Sequence, residues 1–192
     1  MSSHLAGRIE RIASVCARDH VLIAAYHGRV AHMEETPDKV AALLAAAQAL
    51  ASIQAPYALI GGVAVGIHSG TARATEDTDL AVHSSVGRPK VREALAAAGF
   101  TFRGEFRHSD NFRHHSGEPV QIVTDVSFDP MIERATRFDV AGQSIPIVTR
   151  SDLIEMKLRA AGDPACRRSK ALRDQADVEL LRGDVPDPDE GW

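Results

Sequence analysis

Asp77 and Asp79 stand one residue apart in TEDTDLAV, a stretch that reads as a β-strand. Residues i and i+2 of a strand face the same way, so the two carboxylates project together. Two like charges side by side repel unless a cation lies between them, and hard oxygen donors favour Mg²⁺ or Mn²⁺. A further carboxylate, Asp125, falls within the apolar pattern of VQIVTDVSF. A charge there is costly unless paired or bound to metal; the alternative is a strand end facing solvent. Asp125 on a neighbouring strand would complete a two-metal site, able to activate a nucleophile and stabilise a leaving oxygen.

The second chemical signal is Gly61-Gly62, after the apolar run YALI. A strand turning through glycines into a helix lets backbone N–H groups approach a phosphate closely. Arg73 lies between this turn and the aspartate pair, where it is expected to serve the same site. A glycine pair alone often means only a tight turn. Strand, Gly-Gly, short helix, arginine and paired aspartates in succession mean more.

The elements that position these residues follow from periodicity. ETPDKVAALLAAAQALASIQ reads as a helix capped by Thr36, with Pro37 in its first turn. YALI is a strand, VAVGIHSG a short helix and DTDLAVH a second strand. PKVREALAAAGF is a helix stopped by Gly99. TFRGEF, NFRHHS and PVQIVTDVSF suggest a strand meander, and RFDVAGQSIPIVT a hairpin turning near Gly142. SDLIEMKLRAAG, capped by Ser151, and RRSKALRDQADVELLRG are helices. This order predicts one α+β domain over residues 35–183. Residues 1–34 are expected to form an extension, a helix plus a strand, and 184–192 a flexible acidic tail.

The chain has 192 residues, 44% hydrophobic and 25% charged, with a net charge of −4. That balance fits an ordinary globular protein and excludes a globally basic nucleic-acid binder. The 5% aromatic content weighs against a base-stacking platform. Cys16 and Cys166 fit no zinc spacing and read as free thiols of a reducing cytoplasm. No apolar run approaches the roughly 20 residues of a membrane span. A cytoplasmic protein is expected.

These motifs resemble the polymerase β-like nucleotidyltransferase superfamily, in the branch with Gly-Gly, a histidine, an arginine and T-x-D-x-D. AbiEii-type and MenT-type toxins of toxin–antitoxin systems look like this, as do some aminoglycoside and lincosamide nucleotidyltransferases. IPIVTRSDLIEMKLRAAGDPACRRSKALRDQADVELL is similar to that group's L-x-x-x-K helix and the R/K-D-x-x-D helix after it. The resemblance implies a mixed β-sheet flanked by helices, ending in a short helical segment. It implies that Gly61 and Gly62 hold the triphosphate, with Arg73 and Thr75 beside them. Asp77 and Asp79 would bind metal, with Asp125 as third ligand and activator of the acceptor hydroxyl. Lys157 would contact phosphates, and Asp174 occupies the acidic position of the last motif. Val63 departs from the aromatic residue common after the glycine pair in aminoglycoside enzymes.

The expected reaction is Mg²⁺-dependent transfer of NMP from an NTP to an acceptor hydroxyl, with pyrophosphate released. A toxin acting on tRNA or another RNA, with a cognate antitoxin, is the first reading. An antibiotic-modifying enzyme and a non-catalytic nucleotide-binding module are the alternatives. Lys157 to Arg173 contains six Lys or Arg and a single acid, Asp163. This is either a solvated helix face or a surface for phosphates. His108, His114 and His115 are expected in an exposed loop, and His68 either supports the site loop or satisfies the core.

Overall fold

The computed structural model describes residues 7, 9–12, 14, 15, 38–71 and 74–183. Arg73, Thr36, Pro37, Cys16, the predicted strand within 1–34 and the tail 184–192 lie outside them. Helix α1 spans Lys39–Ser52 and is rich in alanine and leucine, both strong helix formers. Its cap is Asp38, whose carboxylate accepts from the Ala41 amide. Then come β1 (Tyr57–Ile60), α2 (Gly61–Ser69), β2 (Thr78–Val82) and α3 (Arg88–Ala97). The meander is β3 (Thr101–Glu105), β4 (Ser109–Arg113) and β5 (Pro119–Val123). A 3₁₀ turn, Val126–Phe128, leads into α4 (Asp129–Glu133) and the hairpin β6 (Thr136–Val140) and β7 (Gln143–Ile147). Helices α5 (Arg150–Gly162) and α6 (Arg168–Arg182) close the described chain. The α5 cap is Thr149, whose hydroxyl accepts from the Asp152 amide, two residues before the expected cap Ser151.

The seven strands among the described residues form one mixed sheet in the order β3-β4-β5-β2-β1-β7-β6. β2 lies antiparallel to β1 and parallel to β5, so the aspartate strand is central. One face of β2 and β5 carries Leu80, Val120 and Ile122, all essentially inaccessible, and meets α1. The other face meets α2, which in turn packs on α5 and α6. Leu43 and Leu50 of α1, Leu59, Ile145 and Ile147 of the sheet and Leu153 of α5 are buried. Each such side chain is worth about 1.5–3 kcal/mol on burial. Ile9 and Ile12, in a helical stretch near the start of the chain, are also buried, and Ile9 belongs to the main core cluster. Ile12 packs so close to Gly66 of α2 that a Cβ there would lie 2.4 Å from its Cδ1.

Candidate active site

The sheet places Asp79 opposite Ile60 on one side and Gln121 on the other. Ile60 is the last residue of β1, so Asp79 lies beside the turn into α2. Gly61 has φ +70, a conformation that side chains rarely adopt. A Cβ on Gly61 would also stand 1.9 Å from Asp79 Oδ2. The first glycine of the pair is therefore matched to the second aspartate: its missing side chain is the space the carboxylate occupies. Gly61→Ala is expected to destabilise the chain and to lower transfer activity more than Gly66→Ala, because the intruding methyl meets the carboxylate itself. Melting temperature and NMP transfer, measured on the two variants together, check this.

Asp77 lies just before β2 and is half-buried. Thr75 Oγ1 approaches its Oδ1 at 3.5 Å, so Thr75 supports the aspartate pair whatever it does toward a nucleotide. Between the aspartates, Thr78 faces the opposite side of the sheet. Its hydroxyl donates to Glu118 Oε1 at 3.2 Å. Glu118 is buried and ion-paired with the buried Lys39 of α1. Burial pushes the Glu118 carboxyl up; Lys39 opposes this, and the charge of Asp77 adds to it.

Asp125 is not beside the pair. Gln121 is the register partner of Asp79, and Asp125 lies four residues further along a parallel strand. At a strand rise of about 3.3 Å that is roughly 13 Å away, at the opposite end of β2. Strand β5 ends at Val123, so Asp125 is outside the ladder. It caps the 3₁₀ turn through the Ser127 amide and meets His108 Nδ1 at 2.7 Å. The Ser127 bonds, with His108 adding to them, hold its carboxyl below the usual range. The expectation that Asp125 completes a three-carboxylate site is thereby corrected. Beside Asp79 stands a carboxamide, Gln121, which donates to Asn111 Oδ1 at 3.1 Å.

Lys157 is buried on α5 between two carboxylates of α6, 2.8 Å from Asp174 Oδ1 and 2.7 Å from Asp177 Oδ2. Lys170 holds the other oxygen of Asp174 at 2.8 Å. Burial raises the Asp174 carboxyl, but the bonds and charges of Lys157 and Lys170 outweigh it and the net shift is downward. This cluster ties the two helices that pack on α2. His68 Nε2 bonds the Val148 carbonyl at 2.8 Å, which is the satisfied structural role. His114 is buried against Phe100 and bonded to Ser116, contrary to the exposed position expected for it. Sequence reading missed Glu118, Lys39 and Gln121; only the strand register and burial reveal them.

A strand–Gly-Gly–helix turn with an aspartate pair on the adjacent antiparallel strand defines a nucleotidyltransferase fold. Solved structures agree on the fold. Lincomycin-bound LnuA, a lincosamide antibiotic adenylyltransferase, superposes with a TM-score of 0.54 at 14% identity, over 75% of this chain and 96% of that one. An antigenic nucleotidyltransferase-like protein of Paracoccidioides brasiliensis gives 0.52 at 24% identity, over 80% and 81%. The Megavirus polyadenylate synthase gives 0.54 at 13% identity, over 90% and 38%. No curated protein sequence matches. The family profile described as "Nucleotidyl transferase AbiEii toxin, Type IV TA system" matches residues 42–190, and the chain belongs to that family. It is a nucleotidyltransferase, an enzyme that transfers NMP from an NTP.

Proposed function

We propose that the enzyme transfers NMP to an RNA hydroxyl, tRNA first among candidates, as a cytoplasmic toxin held in check by an antitoxin. The acceptor oxygen bonds to the α-phosphorus, the α–β bridging bond breaks, pyrophosphate leaves and the acceptor proton is released. Positioning and charge neutralisation supply most of the catalysis in such a transfer. The α2 turn at Gly61 and Gly62 offers backbone N–H groups to the triphosphate. Lys157 donates to Asp174 and is ion-paired with Asp177, and its remaining N–H is assigned to a phosphate oxygen. Arg73 is assigned to the same triphosphate.

The donor set fits a Mg²⁺ or Mn²⁺ ion held by Asp77 and Asp79. Among the described residues no three His, Cys, Asp or Glu side chains gather into a metal cage. Mg²⁺ typically binds through one or two carboxylates with substrate phosphates and water completing the shell. When bound, the ion neutralises charge on the phosphates. Gln121 cannot take a proton from the acceptor as a carboxylate would, so activation of that hydroxyl is not assigned to β5.

The observation favouring RNA is the surface at the α5–α6 turn. Lys157 and Lys170 are committed to Asp174, and Arg159 pairs with Glu155 at 2.7 Å. Arg167, Arg168 and Arg173 are exposed and carry no ion pair among the described residues. Three unneutralised guanidiniums suit a polyanion and repel a cationic aminoglycoside. Fold likeness alone does not choose, since it extends both to an antibiotic adenylyltransferase and to a polyadenylate synthase.

Incubation with each α-³²P-labelled NTP, Mg²⁺ and total tRNA tests the proposal, and label in RNA is the expected outcome. Arg167→Ala/Arg168→Ala/Arg173→Ala should weaken RNA labelling more than NTP binding. Each lost phosphate contact flattens the salt dependence by a slope of roughly 0.7–0.9, so the deficit is widest at low salt and narrows as salt rises. Label in an aminoglycoside and none in RNA would hand the assignment to antibiotic modification. Wild-type expression should slow bacterial growth, and expression of Asp79→Ala should not.

A further inference from the structure

The polar cluster beneath the aspartate strand is unexplained by packing. Lys39 and Glu118 are each only 2% exposed, and Thr78 1%. Both Lys39 Nζ and Thr78 Oγ1 donate to the same oxygen, Glu118 Oε1. The α1 onset is tied to the same β4–β5 turn a second time, through the Asp38 amide and Ser116 Oγ at 3.2 Å. Ser116 is bonded in turn to buried His114 at 2.9 Å. A buried ion pair is poor value for stability, because apolar residues of the same shape do as well or better.

Its geometry suggests another use. The β2 ladder begins at Thr78, so Asp77 has no strand pairing of its own. Its orientation follows that of Thr78, whose side chain is fixed by Glu118. Strand alternation turns Asp79 to the face opposite Thr78, and Asp77 adjoins Thr78 from just outside the ladder. Glu118 also lies close enough for the Asp77 charge to act on it. Lys39 balances that charge and locks the Glu118 rotamer.

We propose that Glu118, held by Lys39, is a positioning residue for the aspartate pair: through Thr78 it sets Asp77 relative to Asp79 for a divalent cation. This rests on assigning the cation to that pair. Outer-shell partners of metal ligands typically alter affinity by about 10–100-fold when removed.

The test is Mn²⁺ binding to the full chain, followed by electron paramagnetic resonance with a non-hydrolysable NTP analogue present, alongside thermal melts. Lys39→Met/Glu118→Leu removes the ion pair without leaving a lone buried charge. It should melt at or above the wild-type temperature yet need about tenfold more Mn²⁺ for half-saturation. Lys39→Met/Glu118→Gln keeps an oxygen for the Thr78 hydroxyl and should restore near-wild-type Mn²⁺ binding. Thr78→Val leaves the ion pair in place and should weaken Mn²⁺ binding in the same direction as the leucine variant. Wild-type Mn²⁺ affinity in both the leucine variant and Thr78→Val would overturn the positioning role. Equal binding by wild type and Asp79→Asn would overturn the cation assignment itself, a distinguishable failure.

Discussion

Asp79→Asn is expected to abolish nucleotidyl transfer, with kcat falling at least roughly a thousandfold, equivalent to about 4 kcal/mol of transition-state stabilisation. The substitution keeps shape and removes charge. The backbone pairing of residue 79 with Ile60 and Gln121 is untouched, and the space left by Gly61 still admits the side chain. The fold should therefore survive. Asp77→Asn should behave alike. Transfer of labelled NMP, measured beside circular dichroism, separates loss of chemistry from loss of structure. Retained transfer in both variants would remove the aspartate pair from the active site.

The place of Asp79 was legible because its signals are local: a glycine pair after YALI marks a turn, and the register sets Asp79 opposite the last residue before that turn. Asp77 falls one residue before the strand, where two-residue alternation no longer fixes its direction. Apolar periodicity likewise located α1, α3, α5 and α6, although the caps at Asp38 and Thr149 depend on backbone geometry near the helix ends. Asp125 was misplaced for a specific reason. A two-residue period tells which face a side chain takes, but not how far one strand slides along another. The register of β5 against β2 puts Gln121 beside Asp79 and carries Asp125 past the end of the ladder. The Lys39–Glu118 pair spans 79 positions, and a lysine in the first turn of an alanine-rich helix looks like a solvated one. Lys157 posed the same problem: its commitment to Asp174 and Asp177 exists only once α5 and α6 fold against each other. The basic run from Lys157 to Arg173 was correct as composition, yet three of its six cations have carboxylate partners in the structure.

Lys157→Met should be the most destabilising single change among the site residues. It leaves Asp177, 1% exposed, and Asp174, 3% exposed, without the cation between them. Removing one partner of a buried pair typically costs about 3–5 kcal/mol, on the order of a 10 °C fall in melting temperature for a chain this size. The pH dependence has a definite sign. In the wild type Asp174 titrates below its ordinary value, so its contribution is complete above about pH 4 and is lost as pH falls further. In the variant, burial acts with only Lys170 opposing it, and protonation relieves the repulsion between the two carboxyl groups. The gap between wild type and variant should accordingly shrink from pH 7 toward pH 4 in a series of thermal melts, whereas a gap constant across that range would mean the lost lysine acted through packing alone. Adding Asp177→Leu to Lys157→Met removes the stranded charge and should recover most of the stability. Nucleotide affinity in that double variant then isolates the remaining N–H donor of Lys157. Weakened NTP binding at recovered stability assigns the donor to a phosphate, and unchanged binding makes Lys157 a tie between two helices and nothing more.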